Sequence, residues 1–179
     1  TALIQEALKI YPDYLPALNK MGEIHLTNAQ PAAAESVLQK ALAVAPKYPL
    51  THINLGILYV QTKNFSKAIE HLDQANTLDE GFPMAHLNLG IALFELTPQT
   101  PANVERAEKE FRKALALGGV QMANVHKLLF NLYLRNRDFN KAAGSLEAYL
   151  KDVPNAPDAP QVQAMLAKVR KAEQNQPDK

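Results

Sequence analysis

The 179-residue sequence contains no cysteine. Disulfides and thiolate metal sites are therefore excluded, and the lack of cysteine fits a reducing or an oxidising compartment equally well. An excess of charge of one sign is missing too. Nineteen Lys and Arg stand against 18 Asp and Glu, a net charge of +1, so no long-range field favours nucleic acid or an anionic membrane. Long apolar runs are also lacking. The stretches free of charged side chains at 48–62 and 81–94 are shorter than the ~18–20 residues a bilayer span requires. No Gly-rich phosphate loop, no HExxH and no nucleophile–base arrangement occurs, so neither an enzyme nor a cofactor is expected. What is present is ordinary for a chain that buries a core: 47% apolar and 21% charged residues, at a length that suggests one domain.

Against that background the sequence repeats itself. His52-Ile53-Asn54-Leu55-Gly56-Ile57-Leu58-Tyr59 returns 34 residues later as His86-Leu87-Asn88-Leu89-Gly90-Ile91-Ala92-Leu93, and 34 residues earlier stands Leu18-Asn19-Lys20-Met21-Gly22-Glu23-Ile24-His25. A fixed period in this range marks a stacked array of supersecondary units. Each unit continues with two alanines flanking a large apolar residue: Ala34, Leu38 and Ala41, then Ala68, Leu72 and Ala75, then Ala107, Phe111 and Ala114. Small residues let two antiparallel helices approach closely, which recovers the roughly 1 kcal/mol that a mid-helix glycine costs.

On these residues the chain resembles the tetratricopeptide repeat family over about residues 1–155. The resemblance implies an all-α solenoid, ten helices in antiparallel pairs wound into a right-handed superhelix, with a C-terminal capping helix. Residues 1–14 read as the second helix of a truncated repeat, and 15–48 and 49–82 as full repeats. Residues 83–121 read as a repeat with an insertion, 122–156 as a further repeat, 157–174 as the capping helix and 175–179 as a disordered tail. The chain starts inside a repeat, without an initiator Met. It is expected to be a fragment of a longer protein, its compartment open between cytoplasm and periplasm or secretion. The step from Leu93 to Ala107 is five residues longer than that from Tyr59 to Ala68, so a stiff loop around 97–101 is expected to project from the array. Gly81 is expected to supply a left-handed residue that ends a helix.

His52, His86 and His126 recur at one repeat position. Stacked helices lie about 8–10 Å apart, whereas zinc holds its ligands at about 2 Å. These rings are therefore expected to pack between helices and hold no metal. His71 is expected to face outwards.

In the family the first helices of the repeats line a concave groove. The resemblance places Leu50, Ile53, Asn54, Ile57 and Val60 of one repeat there, and Met84, Leu87, Asn88, Ile91 and Phe94 of the next. Asn124, Lys127, Asn131 and Arg135 follow from the repeat after that. The two middle first helices are then apolar nearly all round, which marks either burial or an interaction surface. Asn54 and Asn88 offer both donor and acceptor to a peptide backbone along its edge. Lys127 and Asn131 match the first pair of the carboxylate clamp of the family's co-chaperones. The remaining clamp places are not filled, so binding to chaperone C-termini is not expected. The expectation is a non-enzymatic adaptor holding an apolar peptide or helix, its partner a protein and neither nucleic acid nor a membrane interior. The alternative is a self-association or structural module using the same face.

Overall fold

The computed structural model describes residues 2–174 as ten α-helices and one 3₁₀ turn. In chain order these are α1 (Ala2–Ile10), α2 (Leu15–Thr27), α3 (Pro31–Val44), α4 (Pro49–Gln61), α5 (Phe65–Leu78), α6 (Pro83–Glu95), α7 (Pro101–Gly118), the 3₁₀ turn (Gly119–Met122), α8 (Val125–Arg135), α9 (Phe139–Asp152) and α10 (Ala159–Gln174). The tail expected at 175–179 lies outside the described residues.

Helix starts follow the local chemistry. Pro31, Pro49, Pro83 and Pro101 each occupy the first helical position, where a missing N–H costs nothing. Asn64, Thr100 and Asp138 accept the backbone N–H of Lys67, Asn103 and Lys141 respectively, capping α5, α7 and α9.

Three first helices stop in the same way. Ala29, Lys63 and Arg137 follow the C-termini of α2, α4 and α8 at φ of 53°, 58° and 58°. The next N–H then reaches back over the last turn: Gln30 to the His25 carbonyl, Asn64 to Tyr59 and Asp138 to Tyr133. This double closure satisfies carbonyls the helix leaves open, and at none of the three is the left-handed residue glycine. Gly81, where one was expected, is not left-handed. The helix before it ends on the extended residue Asp79, whose carboxylate accepts the Gly81 N–H at 2.8 Å.

The insertion also differs from the expectation of a loop over 97–101. α7 is 18 residues long, against 14 for α3, α5 and α9. Thr100 caps it, Pro101 opens it and Ala102 continues it. Part of the added chain is therefore helical, and only 96–100 remains as the connection.

Each helix packs mainly on its immediate neighbours, α2 with α3, α4 with α5, α6 with α7 and α8 with α9. The glycines sit at the closest approach. A Cβ on Gly22 would stand 2.4 Å from Leu38, one on Gly56 2.4 Å from Leu72, and one on Gly90 2.6 Å from the Phe111 ring. Leu38, Leu72, Phe111 and the flanking alanines are fully buried. First helices also touch one another, α2 with α4, α4 with α6 and, more sparsely, α6 with α8, whereas the second helices are held apart. The array therefore curves with its first helices on the inner face.

Candidate functional site: the inner face and the cavity beside the 3₁₀ turn

The inner face is built from α4, α6 and α8. On α4 the expected groove residues turn partly inwards. Ile53 is only 4% exposed and belongs to the core, while Leu50, Ile57 and Val60 are half-buried against it. On α6, Met84 is 42% exposed, Leu87 and Ile91 are half-buried, and Phe94 is buried. Arg135 of α8 explains the last of these. Its guanidinium lies 3.9 Å from the centre of the Phe94 ring and donates to the Phe94 carbonyl at 2.9 Å, a cation resting on an aromatic face. Asn131 is exposed.

Asn54 and Asn88 are buried, at 5% and 7% exposure. Their amide hydrogens are turned into the protein. Asn88 donates to the Met84 carbonyl at 2.8 Å. Asn54 points at Asn19, 3.4 Å from its side-chain oxygen, the same oxygen that accepts the Thr51 hydroxyl at 3.0 Å.

Met84, Leu87 and Ile91 meet Gln121, Met122, Asn124, Val125, Lys127 and Leu128 around an open cavity of about 540 Å³. Its origin is local. α6 and α8 are not stacked as closely as α4 and α6, because the 3₁₀ turn stands between them. Gly119 makes the break at φ 55°. Gly118 leaves room for the side chain of Met122, which a Cβ there would meet at 2.3 Å. The sequence carries one extra residue in this interval, between Ala114 and His126, but no sign of a turn that would deliver Met122 and Gln121 to the inner face.

Lys127, on the cavity wall, is not a free cation. It donates to Asp158 at 2.8 Å and lies 4.7 Å over the Tyr149 ring. The Tyr149 hydroxyl donates to the other oxygen of Asp158 at 2.6 Å. The bond to Asp158 raises the Lys127 ammonium above its usual pKa. Its bonds to Lys127 and then Tyr149 hold Asp158 below the usual carboxylate range. Asp158 stands in the proline-rich connector before α10 and was not among the residues singled out in the sequence.

The recurring histidines are structural in placement. His52 and His86 are buried and direct Nε2 at the carbonyls of Pro46 (2.9 Å) and Glu80 (3.0 Å). His126 lies 3.0 Å from Asp152. His71 does not face outwards as expected. It is half-buried, with Nδ1 3.2 Å from Nδ1 of His52 and its ring stacked on Tyr59, centroids 5.5 Å apart. Among the described residues no three His, Cys, Asp or Glu side chains converge as a metal site. No described helix is long and apolar enough to cross a membrane.

Tetratricopeptide repeat models match residues 26–89 and 127–174. The chain belongs to the tetratricopeptide repeat family. No curated protein sequence matches it, but solved structures share the fold. PilW, a type IV pilus biogenesis factor, superposes with a TM-score of 0.81 at 21% identity, covering 97% of this chain and 78% of that one. A chain of the APC/C hetero-tetramer Cut9-Hcn1 gives 0.80 at 21% identity, covering 92% of this chain and 32% of that one. YrrB, described as a TPR protein with an unusual peptide-binding site, gives 0.70 at 18% identity over 91% and 81% of the two chains. In tetratricopeptide terms α2, α4, α6 and α8 are the first helices of their pairs and the cavity opens on the concave side.

Proposed function

We propose that this tetratricopeptide protein is a non-enzymatic adaptor that holds an apolar peptide or helix of a partner protein on its concave face. The tetratricopeptide array is a protein-interaction scaffold. The observation that carries the finer reading is the cavity at Met84, Leu87, Ile91 and Leu128. It is apolar, open, and within the size range of sites that take a side chain or small ligand. Each apolar anchor buried there contributes about 1.5–3 kcal/mol before ordering costs, which suits micromolar affinity. The burial of Ile53, Asn54 and Asn88 moves the weight of the proposal from the α4–α6 strip towards α6 and α8. YrrB's peptide-binding site is a property of that protein and gives the reading a precedent within the fold.

The test is Ile91→Asp combined with Ile57→Asp, both half-buried positions on the inner face. Circular dichroism should show intact helices while capture of partner peptides is lost. A folded double variant that still captures its partner would place the binding surface elsewhere.

A further inference from the structure

The cavity on the concave face has a neighbour. A second, apolar cavity of about 390 Å³ lies on the other side of the 3₁₀ turn, lined by Val120, Ala123, Tyr149, Val153 and the connector prolines Pro154 and Pro157. Asn124 borders both cavities. Its side chain is exposed and makes no helix-capping bond, so its amide is available to a peptide group. Lys127, one turn further along α8, walls the first cavity, and its partner Tyr149 walls the second. A polar partition thus separates two apolar hollows.

Resting on the groove reading above, we propose that this bipartite site takes an extended peptide in which two apolar side chains flank an acidic one. The first apolar side chain enters the cavity at Leu87, Ile91 and Leu128, and the second that at Val120 and Val153. The peptide backbone crosses at Asn124, and the acidic side chain meets Lys127. Charge complementarity selects this occupant. Lys127 is the single charged side chain among the residues that line the two cavities. Lys127 keeps 35% of its side chain exposed, and an ammonium has three donors. One reaches Asp158 and another side of the group faces the Tyr149 ring, which leaves capacity for a further carboxylate. Asp158 draws on the same ammonium that this carboxylate would meet. The connector is therefore a built-in competitor, and an acidic peptide gains most when a neutral residue replaces Asp158.

The experiment uses fluorescent peptides in which two leucines flank one aspartate through serine spacers of one to three residues, with matched peptides carrying asparagine for the aspartate or serine for the second leucine. Anisotropy titrations on the intact chain should show the aspartate peptide binding at least about threefold tighter than the asparagine peptide, the range of an exposed ion pair. Lys127→Met should erase that preference. Asp158→Asn should enlarge it. Val120→Asp, at a position 61% exposed and therefore safe for folding, should remove the advantage of the second leucine alone. If Ile91→Asp abolishes binding while Val120→Asp and Lys127→Met change nothing, the bipartite proposal is overturned and the groove reading stands. Binding that survives Ile91→Asp sinks both. Failure of every peptide in the series to bind the unaltered chain overturns the bipartite proposal.

Discussion

Nδ1 of His86 lies 2.6 Å from Oε2 of Glu110, and both side chains are almost wholly buried. The other ring nitrogen faces the Glu80 carbonyl, which can only accept, so Nε2 carries a hydrogen. The short contact at Nδ1 then requires one proton between imidazole and carboxyl, since two bare lone pairs would repel. The Asn76 amide is farther from the same nitrogen, at 3.4 Å. At the matching place in the preceding pair, His52 meets another histidine, His71.

A glutamine at 110 can donate an amide hydrogen to a neutral Nδ1, whereas alanine cannot. Glu110→Gln should cost less than about 1 kcal/mol, and Glu110→Ala about 1–3 kcal/mol, since the ring nitrogen then keeps only the longer contact to Asn76. Urea denaturation with unchanged slope reads the difference. Equal losses would contradict the shared proton.

Burial, and next the charge of His52, push the His71 imidazole below its usual value. The unfolded chain holds it near 6.5, so the unfolded state binds this proton more readily. The stability it contributes is complete above about pH 6.5 and is lost as the pH falls below it. The urea midpoint of the unaltered protein should drop between about pH 7.5 and pH 5.5 by more than that of His71→Gln. Parallel pH profiles would show that His71 is not held neutral.

Ala29, Lys63 and Arg137 pay a left-handed backbone penalty that an L-residue feels and glycine does not. Lys63→Gly should raise stability by up to about 1 kcal/mol, the steric gain of roughly 1–2 kcal/mol being partly offset by glycine's larger unfolded freedom. A thermal melt with a raised midpoint supports this; a lowered one would mean that the Lys63 side chain contributes more than its backbone costs.

Gly56 has no space for a Cβ, with Leu72 at 2.4 Å. Leu72 is fully buried and has little room to retreat, so Gly56→Ala should destabilise by about 1–3 kcal/mol through overpacking. An unchanged melting temperature would show that the α4–α5 contact is softer than its geometry.

The paired helices were legible because the glycines and alanines recur with the period, and close approach leaves few alternatives at such positions; that Gly56 meets Leu72 and Gly90 meets Phe111 is seen only in the structure. The turns were not, since Ala29, Lys63 and Arg137 bear no mark of a left-handed backbone; the closure of the helix carbonyls imposes it. The five added residues after Leu93 were visible as a count, but whether they coil or bulge depended on Thr100 capping a helix that Pro101 could open. Asn54 and Asn88 stand out in the sequence, but their burial does not show in it. Their side chains bond to Asn19 and to the Met84 carbonyl, an outcome decided by how neighbouring first helices stack. The cavity beside Met122 left even less trace, one extra residue and a pair of glycines.

That 3₁₀ turn has a mechanical consequence. Where α6 and α8 are held apart, the seam between α1 to α7 and α8 to α10 rests on the α7–α8 packing and on Arg135 against Phe94. In a quasi-one-dimensional protein cooperativity passes only through nearest neighbours, so tension along the chain parts such a seam before it melts either block. A ligand lying across the seam would act as a splint between the two halves.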